Sequence, residues 1–159
     1  TMRFLPLLLL GFALPAMARS NTLRELAVED GMVTVSIQQG ISASTGDVLT
    51  LPIVVTKVET IFGIDLHVTF DPSVIQAFDV EGTKLTEGMV VVHNTGIAGN
   101  VYGAIYGIYP TSGSGDLILL RFNVVGQPGD STAITIERIS FDEGRFPVSI
   151  RNGSLTVVE

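Results

Sequence analysis

The stretch I-F-G-I-D-L-H-V-T-F-D-P-S-V-I, at residues 61–75, decides the fold that the sequence predicts. Between Phe62 and Phe70 every even position is apolar. The odd positions form a polar face that consists of Gly63, Asp65, His67 and Thr69. Because successive side chains of a strand point to opposite faces, this alternation predicts one face in a hydrophobic core and the other in water or against a partner. Asp71-Pro72-Ser73 then predicts a turn, since proline lacks a backbone donor and fixes its own φ.

The start of the chain has the three parts of a secretory signal peptide. A basic residue, Arg3, precedes the apolar run 4–14 and the cleavage-site pattern Ala16-Met17-Ala18. We therefore expect a signal peptide over residues 1–18, a leader or linker over residues 19–31 and the mature domain over residues 32–159. The apolar run is shorter than the ~20 residues of a membrane helix. The sequence thus predicts a secreted protein, extracellular or periplasmic, without a membrane span in the mature chain.

Composition argues against nucleic acid as a partner. The net charge is −7, and the nine Lys and Arg residues are scattered, so no basic stripe is present to neutralise phosphates. The chain has no cysteine, and 46% of its 159 residues are hydrophobic. We therefore expect one domain held together by core burial and not by disulfides.

After residue 31 the sequence consists of short β-rich runs separated by clusters of Gly, Pro, Asn, Asp and Ser. The expected strands are residues 32–38, 48–56, 62–70, 74–80, 89–93, 101–108, 117–125, 132–141 and 147–158, the last interrupted at Asn152-Gly153. Residues 40–47 are expected to form a loop. Pro52 cannot donate to a ladder, so the strand at residues 48–56 should lie at a sheet edge or pair on one side only at that point. About nine short strands predict an all-β fold, an antiparallel β-sandwich of jelly-roll topology whose first and last strands lie near each other.

Catalytic and metal-binding chemistry has little support in the sequence. No cysteine or G-x-S-x-G motif occurs, and the only histidines are His67 and His93, so we expect no enzyme activity. Asp65 and His67 could supply two metal ligands, but two ligands do not make a site. Asp142-Glu143-Gly144 is more simply a hairpin turn than a calcium site. We therefore predict no cofactor and no metal on this chain.

Polysaccharide binding is an open alternative, because many exported sandwiches stack sugars on flat aromatic platforms. The chain has no tryptophan and three tyrosines. Tyr102 and Tyr106 share a strand face, which a core explains at least as well as a sugar platform does. The Tyr109-Pro110 loop is the one aromatic candidate for exposure. A purely structural surface domain is the other alternative.

Several runs resemble the cohesin domain family, exported jelly-roll modules that bind dockerin modules in bacterial cellulosomes and related assemblies. Residues 63–75 are similar to the family strand G-x-x-F-x-L-x-Y-D-P-x-V-L, and residues 45–53 are similar to G-D-x-V-x-V-P-V. Residues 115–125 resemble G-x-L-x-x-I-x-F-x-V, and residues 148–158 resemble V-x-x-x-x-G-x-V-x-V. The resemblance covers nearly all of the expected mature domain.

The resemblance implies a function and a binding surface. Cohesins present one flat sheet face, which includes the third strand and the hairpin of the fifth and sixth strands, to a helical dockerin. The dockerin carries calcium, so calcium is expected on the partner and not on this chain. The partner-binding residues that the resemblance implies are Asp65, His67, Thr69, Asn94, Val101, Gly103 and Ile105. The alternative for this surface is an ordinary solvated sheet face.

Overall fold

The computed structural model describes residues 31–159, in which Met32–Glu159 form one compact unit. The signal peptide expected at residues 1–18 and the leader expected at residues 19–31, apart from Gly31, lie outside the described residues. No helix in the described part is long and apolar enough to cross a membrane.

The described residues form nine β-strands and one short 3-10 turn, Asp142–Gly144. The strands are β1 Val33–Ser36, β2 Ile41–Ser44, β3 Val48–Thr69, β4 Ile75–Gly82, β5 Val90–Asn94, β6 Asn100–Val124, β7 Ser131–Phe141, β8 Val148–Arg151 and β9 Gly153–Val158. The all-β prediction is confirmed. The expectation of a loop over residues 40–47 is wrong in part, because β2 lies there and pairs with β9.

β3 and β6 form a long antiparallel ribbon at the centre of the fold. Their pairing runs from Val48 opposite Asn123 to Thr69 opposite Asn100, with register shifts between Ile53 and Gly63. Each of these strands was expected as two separate runs. The polar residues near position 57 and the glycines near position 113 break the alternation in the sequence, but the backbone continues through bulges.

The ribbon contributes to both layers of a β-sandwich. Residues 48–55 and 115–124 of the ribbon pair with β1 and β4, and β8 extends this sheet beyond β1. Residues 63–69 and 100–106 pair instead with β7 and β5, and β9 and β2 continue from β7. Register shifts between the two halves bend the strands from one sheet into the other, which is how strands turn sandwich corners.

Two further expectations are confirmed by the pairing. The expected first run lies beside the expected last run, 147–158, because β1 pairs in parallel with β8, and β2 pairs in parallel with β9. Pro52 pairs only with Leu119 of β6, and the ladder between β3 and β1 begins at Val54. The missing donor of Pro52 therefore interrupts no second ladder.

The core lies between the two sheets and contains the even face of the opening stretch. Ile64, Leu66 and Val68 are buried. Phe70 is half-buried and its ring meets that of Phe122 edge-on, with centroids 5.1 Å apart. Phe62 departs from the expected core face and is 41% exposed, because the last register shift between β3 and β6 falls between Ile61 and Gly63.

Candidate binding face

Four adjacent strands, in the order β5, β6, β3 and β7, form a sheet with an open outer surface, here called the binding face. Asp65 pairs with Ala104 on one side and with Ser140 on the other. Directly paired residues point to the same side of a sheet, so the registers define the whole surface. The binding face consists of Gly63, Asp65, His67, Thr69, Val90, Val92, Asn94, Asn100, Tyr102, Ala104, Tyr106, Thr135, Arg138 and Ser140.

The structure places four of the seven expected partner-binding residues on this face: Asp65, His67, Thr69 and Asn94. The other three point the opposite way. Val101 is 0% exposed and Ile105 is 1% exposed. An added Cβ on Gly103 would contact the Leu66 side chain at 3.7 Å, on the core side. The expectation that these three residues lie on the outer surface is therefore wrong.

The residues that β6 presents outward are Tyr102, Ala104 and Tyr106. Tyr102 is 40% exposed and Tyr106 is 52% exposed, so these tyrosines are surface residues and not core residues. The sequence V-Y-G-A-I-Y has apolar residues on both of its faces, so alternation does not mark the inner one. The polar face of β3 does indicate the orientation of β6, because the residues that pair with Asp65 and His67 must also point outward.

Asp65 lies near the middle of the binding face. Its neighbours across the ladders are Ala104 and Ser140, whose small side chains leave the carboxylate exposed. No hydrogen bond or ion pair engages this carboxylate within residues 31–159. A charged acceptor is thus free to bind donors from a partner.

His67 is held by two contacts beside Asp65. Its ring stacks on Tyr102, with centroids 4.2 Å apart and an interplanar angle of 11°. His67 Nε2 lies 2.9 Å from Asn100 Oδ1, and Asn100 Nδ2 donates to the Ala98 carbonyl at 3.0 Å. Because the Asn100 amide nitrogen is already directed at Ala98, its oxygen faces His67, and Nε2 is the donor. The stacked pair is therefore ordered without a partner.

Thr69 and Asn94 occupy the rim and make internal hydrogen bonds. Thr69 Oγ1 donates to Glu137 Oε1 at 2.7 Å. Asn94 Oδ1 accepts from the Gly96 backbone nitrogen at 2.8 Å and fixes the start of the loop between β5 and β6. These two side chains maintain the shape of the face, and their remaining polar atoms border its centre.

Asp142 supports the binding face from outside it, a role that the sequence did not indicate. Its Oδ1 accepts from the backbone nitrogens of Phe62 at 2.8 Å and Gly63 at 2.9 Å. Asp142 has φ 46° and Glu143 has φ 59°, both in the left-handed region. A turn is present at Asp142–Gly144, but the expected hairpin is wrong, because β7 pairs with β3 and β9 while β8 pairs with β1. The turn instead fixes β3 where its last register shift against β6 ends.

Two further features bear on the expected chemistry. Within residues 31–159 no group of three or more His, Asp or Glu side chains is placed to hold a metal ion. Tyr109 is 78% exposed and lies within β6, outside the binding face. Polysaccharide binding through Tyr109 stays a prediction.

A family model for the cohesin domain matches residues 33–157. The chain belongs to the cohesin family. The expectation that the sequence resemblance raised is confirmed, and the two-sheet sandwich described above is this cohesin's version of the family fold. No curated protein sequence matches the chain.

Solved structures of other cohesins share the fold of this cohesin. A non-cellulosomal cohesin from the hyperthermophilic archaeon Archaeoglobus fulgidus has a TM-score of 0.69 and 21% identity, covering 80% of this chain and 92% of that one. The third cohesin of ScaC, in complex with the ScaB dockerin from Acetivibrio cellulolyticus, has a TM-score of 0.68 and 20% identity, covering 80% and 100%. A type III cohesin of Ruminococcus flavefaciens ScaE has a TM-score of 0.62 and 16% identity, covering 85% and 92%.

Proposed function

We propose that this cohesin is a non-enzymatic protein-binding module that binds a dockerin-type partner through its binding face. The observation that carries the proposal is the free carboxylate of Asp65 at the middle of an open, four-stranded sheet surface. Cohesins of the same fold have been solved in complex with dockerins, including the ScaC cohesin with the ScaB dockerin. Calcium belongs to the dockerin in this proposal.

The composition of the binding face fits a specific protein partner. Val90, Val92 and Tyr106 are each about half exposed and supply apolar area that a partner can bury. The ordered stack of His67 on Tyr102 adds aromatic surface without further loss of side-chain freedom on binding. Apolar and aromatic area around a few hydrogen-bonding groups is the usual anatomy of a protein interface.

Export to the cell exterior or periplasm is part of the proposal. It is supported by the basic start, apolar run and A-x-A pattern within residues 1–18. The absence of cysteine from the chain is compatible with either compartment, because the core needs no disulfide.

Titration calorimetry against a panel of calcium-loaded dockerins tests the binding proposal. For a dockerin that binds, we expect Asp65→Asn to weaken affinity about tenfold or more, because a hydrogen bond to a charged group contributes about 1.5–3 kcal/mol. Asp116→Asn is the matched control, since Asp116 is an exposed carboxylate on the β6 segment of the other sheet.

The site assignment and the function can fail separately in this titration. Unchanged affinity in an Asp65→Arg, Tyr106→Arg double variant would show that a bound dockerin uses another surface. A folded protein that binds no dockerin in the panel would count against dockerin binding itself.

A further inference from the structure

Four strands in the described part of the chain have a neighbour on one side only, and each leaves an open sheet edge. They are β2, β4, β5 and β8. The outward backbone groups of such an edge are unpaired donors and acceptors. Natural sheets therefore protect their edges with short strands, charges, prolines or bulges.

Three of the four edges carry such protection. β2 and β8 have four residues each, and β8 is preceded by Pro147 and ends at Arg151. β4 has a register shift between Ala77 and Asp79 and carries the charges of Asp79 and Glu81. β2 carries no charge and pairs with β9 without a register shift, but it is short, and its Ser44 backbone nitrogen already donates to Asp47 Oδ2 at 2.8 Å.

β5 lacks this protection. Its sequence, V-V-V-H-N, contains no proline, glycine, carboxylate, lysine or arginine. Its ladder with β6 runs from Val90 to Asn94 without a register shift. The one titratable side chain, His93, is directed to β4, where its Nε2 lies 3.1 Å from Asp79 Oδ1. The β5 edge is therefore the longest regular edge without a carboxylate, lysine or arginine in the described part of the chain.

The outer side of β5 is open to pairing. Within residues 31–159, no hydrogen bond outside its ladder with β6 reaches the backbone of residues 90–93. Val90 and Val92 are each 51% exposed. Valine is a strong strand former, so this edge combines free backbone groups with side chains that favour another strand beside them.

We propose that β5 pairs with β5 of a second copy of this chain. The two strands run antiparallel and are related by a two-fold axis that passes beside Val92. This register is the one that pairs all five residues of the strand. Val92 lies opposite the partner's Val92, and Val90 lies opposite the partner's Asn94. Both copies use the same surface, as a two-fold interface requires.

The chemistry of β5 selects a second copy as the occupant. Opposed β-branched side chains stabilise antiparallel ladders. The strand carries no carboxylate, so pairing places no like charges directly opposite each other despite the net charge of −7. Two-fold pairing closes the unprotected edge of both molecules at once and stops at a dimer. An extended segment of another protein would close one edge only, and nothing on β5 specifies its sequence.

The dimer leaves the polar centre of the proposed partner site accessible, while Val90 and Val92 at the β5 side of that site also border the second copy. Asp65 and His67 lie on β3, two strands and about 10 Å from the β5 edge. The paired sheets would then present two binding faces side by side, which raises the avidity for a partner that carries two modules.

Single cysteine variants test this register directly, because the chain contains no cysteine of its own. Directly opposed residues have Cβ atoms about 4.5–5.5 Å apart, close to disulfide geometry. In the proposed register the two copies of residue 90 are offset by four positions, about 14 Å. Under mild oxidation we expect Val92→Cys to form a disulfide-linked dimer at least tenfold faster than Val90→Cys. Val48→Cys is the surface control, since Val48 is 56% exposed outside β5.

Sedimentation velocity of the unmodified protein provides a measurement that needs no variant to fold. We expect the sedimentation coefficient to rise over a hundredfold range of concentration, and we expect Val92→Lys to abolish that rise. A protein that stays monomeric over this range overturns the proposal, as does a Val92→Cys variant that cross-links no faster than Val48→Cys. Faster cross-linking of Val90→Cys also overturns it, because the register would be wrong. Neither experiment contains a dockerin, so failure here leaves the proposed function standing.

Discussion

Asp142 lies outside the binding face but controls β3, one of the strands that form this face. Its carboxylate accepts from two consecutive backbone nitrogens, those of Phe62 and Gly63, at the last register shift between β3 and β6. At such a shift the ladder leaves backbone groups without a partner strand. The Asp142 carboxylate supplies the missing acceptor and sets where the regular alternation toward Asp65 begins.

Removing this acceptor is expected to destabilise the domain. Asp142→Gly deletes the carboxylate, and glycine adopts the φ of 46° at this position freely, so the substitution introduces no new backbone strain. We expect a loss of about 1–3 kcal/mol in the free energy of unfolding, measured by urea denaturation, because two donors lose their acceptor. Asp142→Asn is the control, since its amide oxygen can still accept and asparagine tolerates positive φ. Equal stability of Asp142→Gly and wild type would contradict this role.

At the scale of the strand, sequence alone predicted β3 better than β6. The residues of β3 from Gly63 to Thr69 alternate between apolar and polar side chains, so their two faces could be assigned without a structure. The residues of β6 from Val101 to Tyr106 are apolar or small on both faces. Their orientation is set by pairing with β3, which is a long-range property. The outward orientation was therefore predicted correctly on β3 and at Asn94, and wrongly on β6, while partner binding by these residues stays a prediction.

The turn that ends β3 is expected to make the stability of the domain depend on pH. Asp71 Oδ1 accepts from the Ser73 hydroxyl at 2.6 Å and from the Ser73 backbone nitrogen at 2.9 Å. The hydroxyl, followed by the backbone N–H, holds the pKa of Asp71 below its ordinary value. Because the folded pKa is the lower one, these bonds stabilise the turn above the unfolded pKa, and their contribution is lost as pH falls through the folded pKa.

Ser73→Ala is expected to raise the pKa of Asp71 toward its ordinary value, because the larger of the two causes is removed. Ser73→Thr keeps a hydroxyl and should keep the low pKa. Carbon-detected NMR titration of the side-chain carboxyl measures the pKa in each variant. If Asp71 titrates at the same pH in Ser73→Ala and wild type, the hydroxyl is not the cause.

The whole molecule is organised by the ribbon of β3 and β6, because both strands belong to both sheets. In a sandwich whose sheets shared only loops, one layer could loosen while the other kept its pairing. Here the residues of β3 from Val48 to Val55 and from Gly63 to Thr69 lie in different layers of one continuous strand. The core between the layers is shared, so we expect the domain to unfold as a single cooperative unit.

The tyrosines make this cooperativity measurable. The chain has no tryptophan, and its three tyrosines, Tyr102, Tyr106 and Tyr109, all lie on the first half of β6. Intrinsic fluorescence therefore reports on that half of β6 alone. Ile53 is fully buried and lies in the part of β3 that belongs to the opposite sheet. Ile53→Ala should cost about 2–5 kcal/mol through the cavity it leaves. We expect the urea midpoint to fall equally by tyrosine fluorescence and by circular dichroism, and we expect the exposed control Val48→Ala to change neither. A tyrosine transition that keeps the wild-type midpoint would show that the two layers unfold separately and that the ribbon does not couple them.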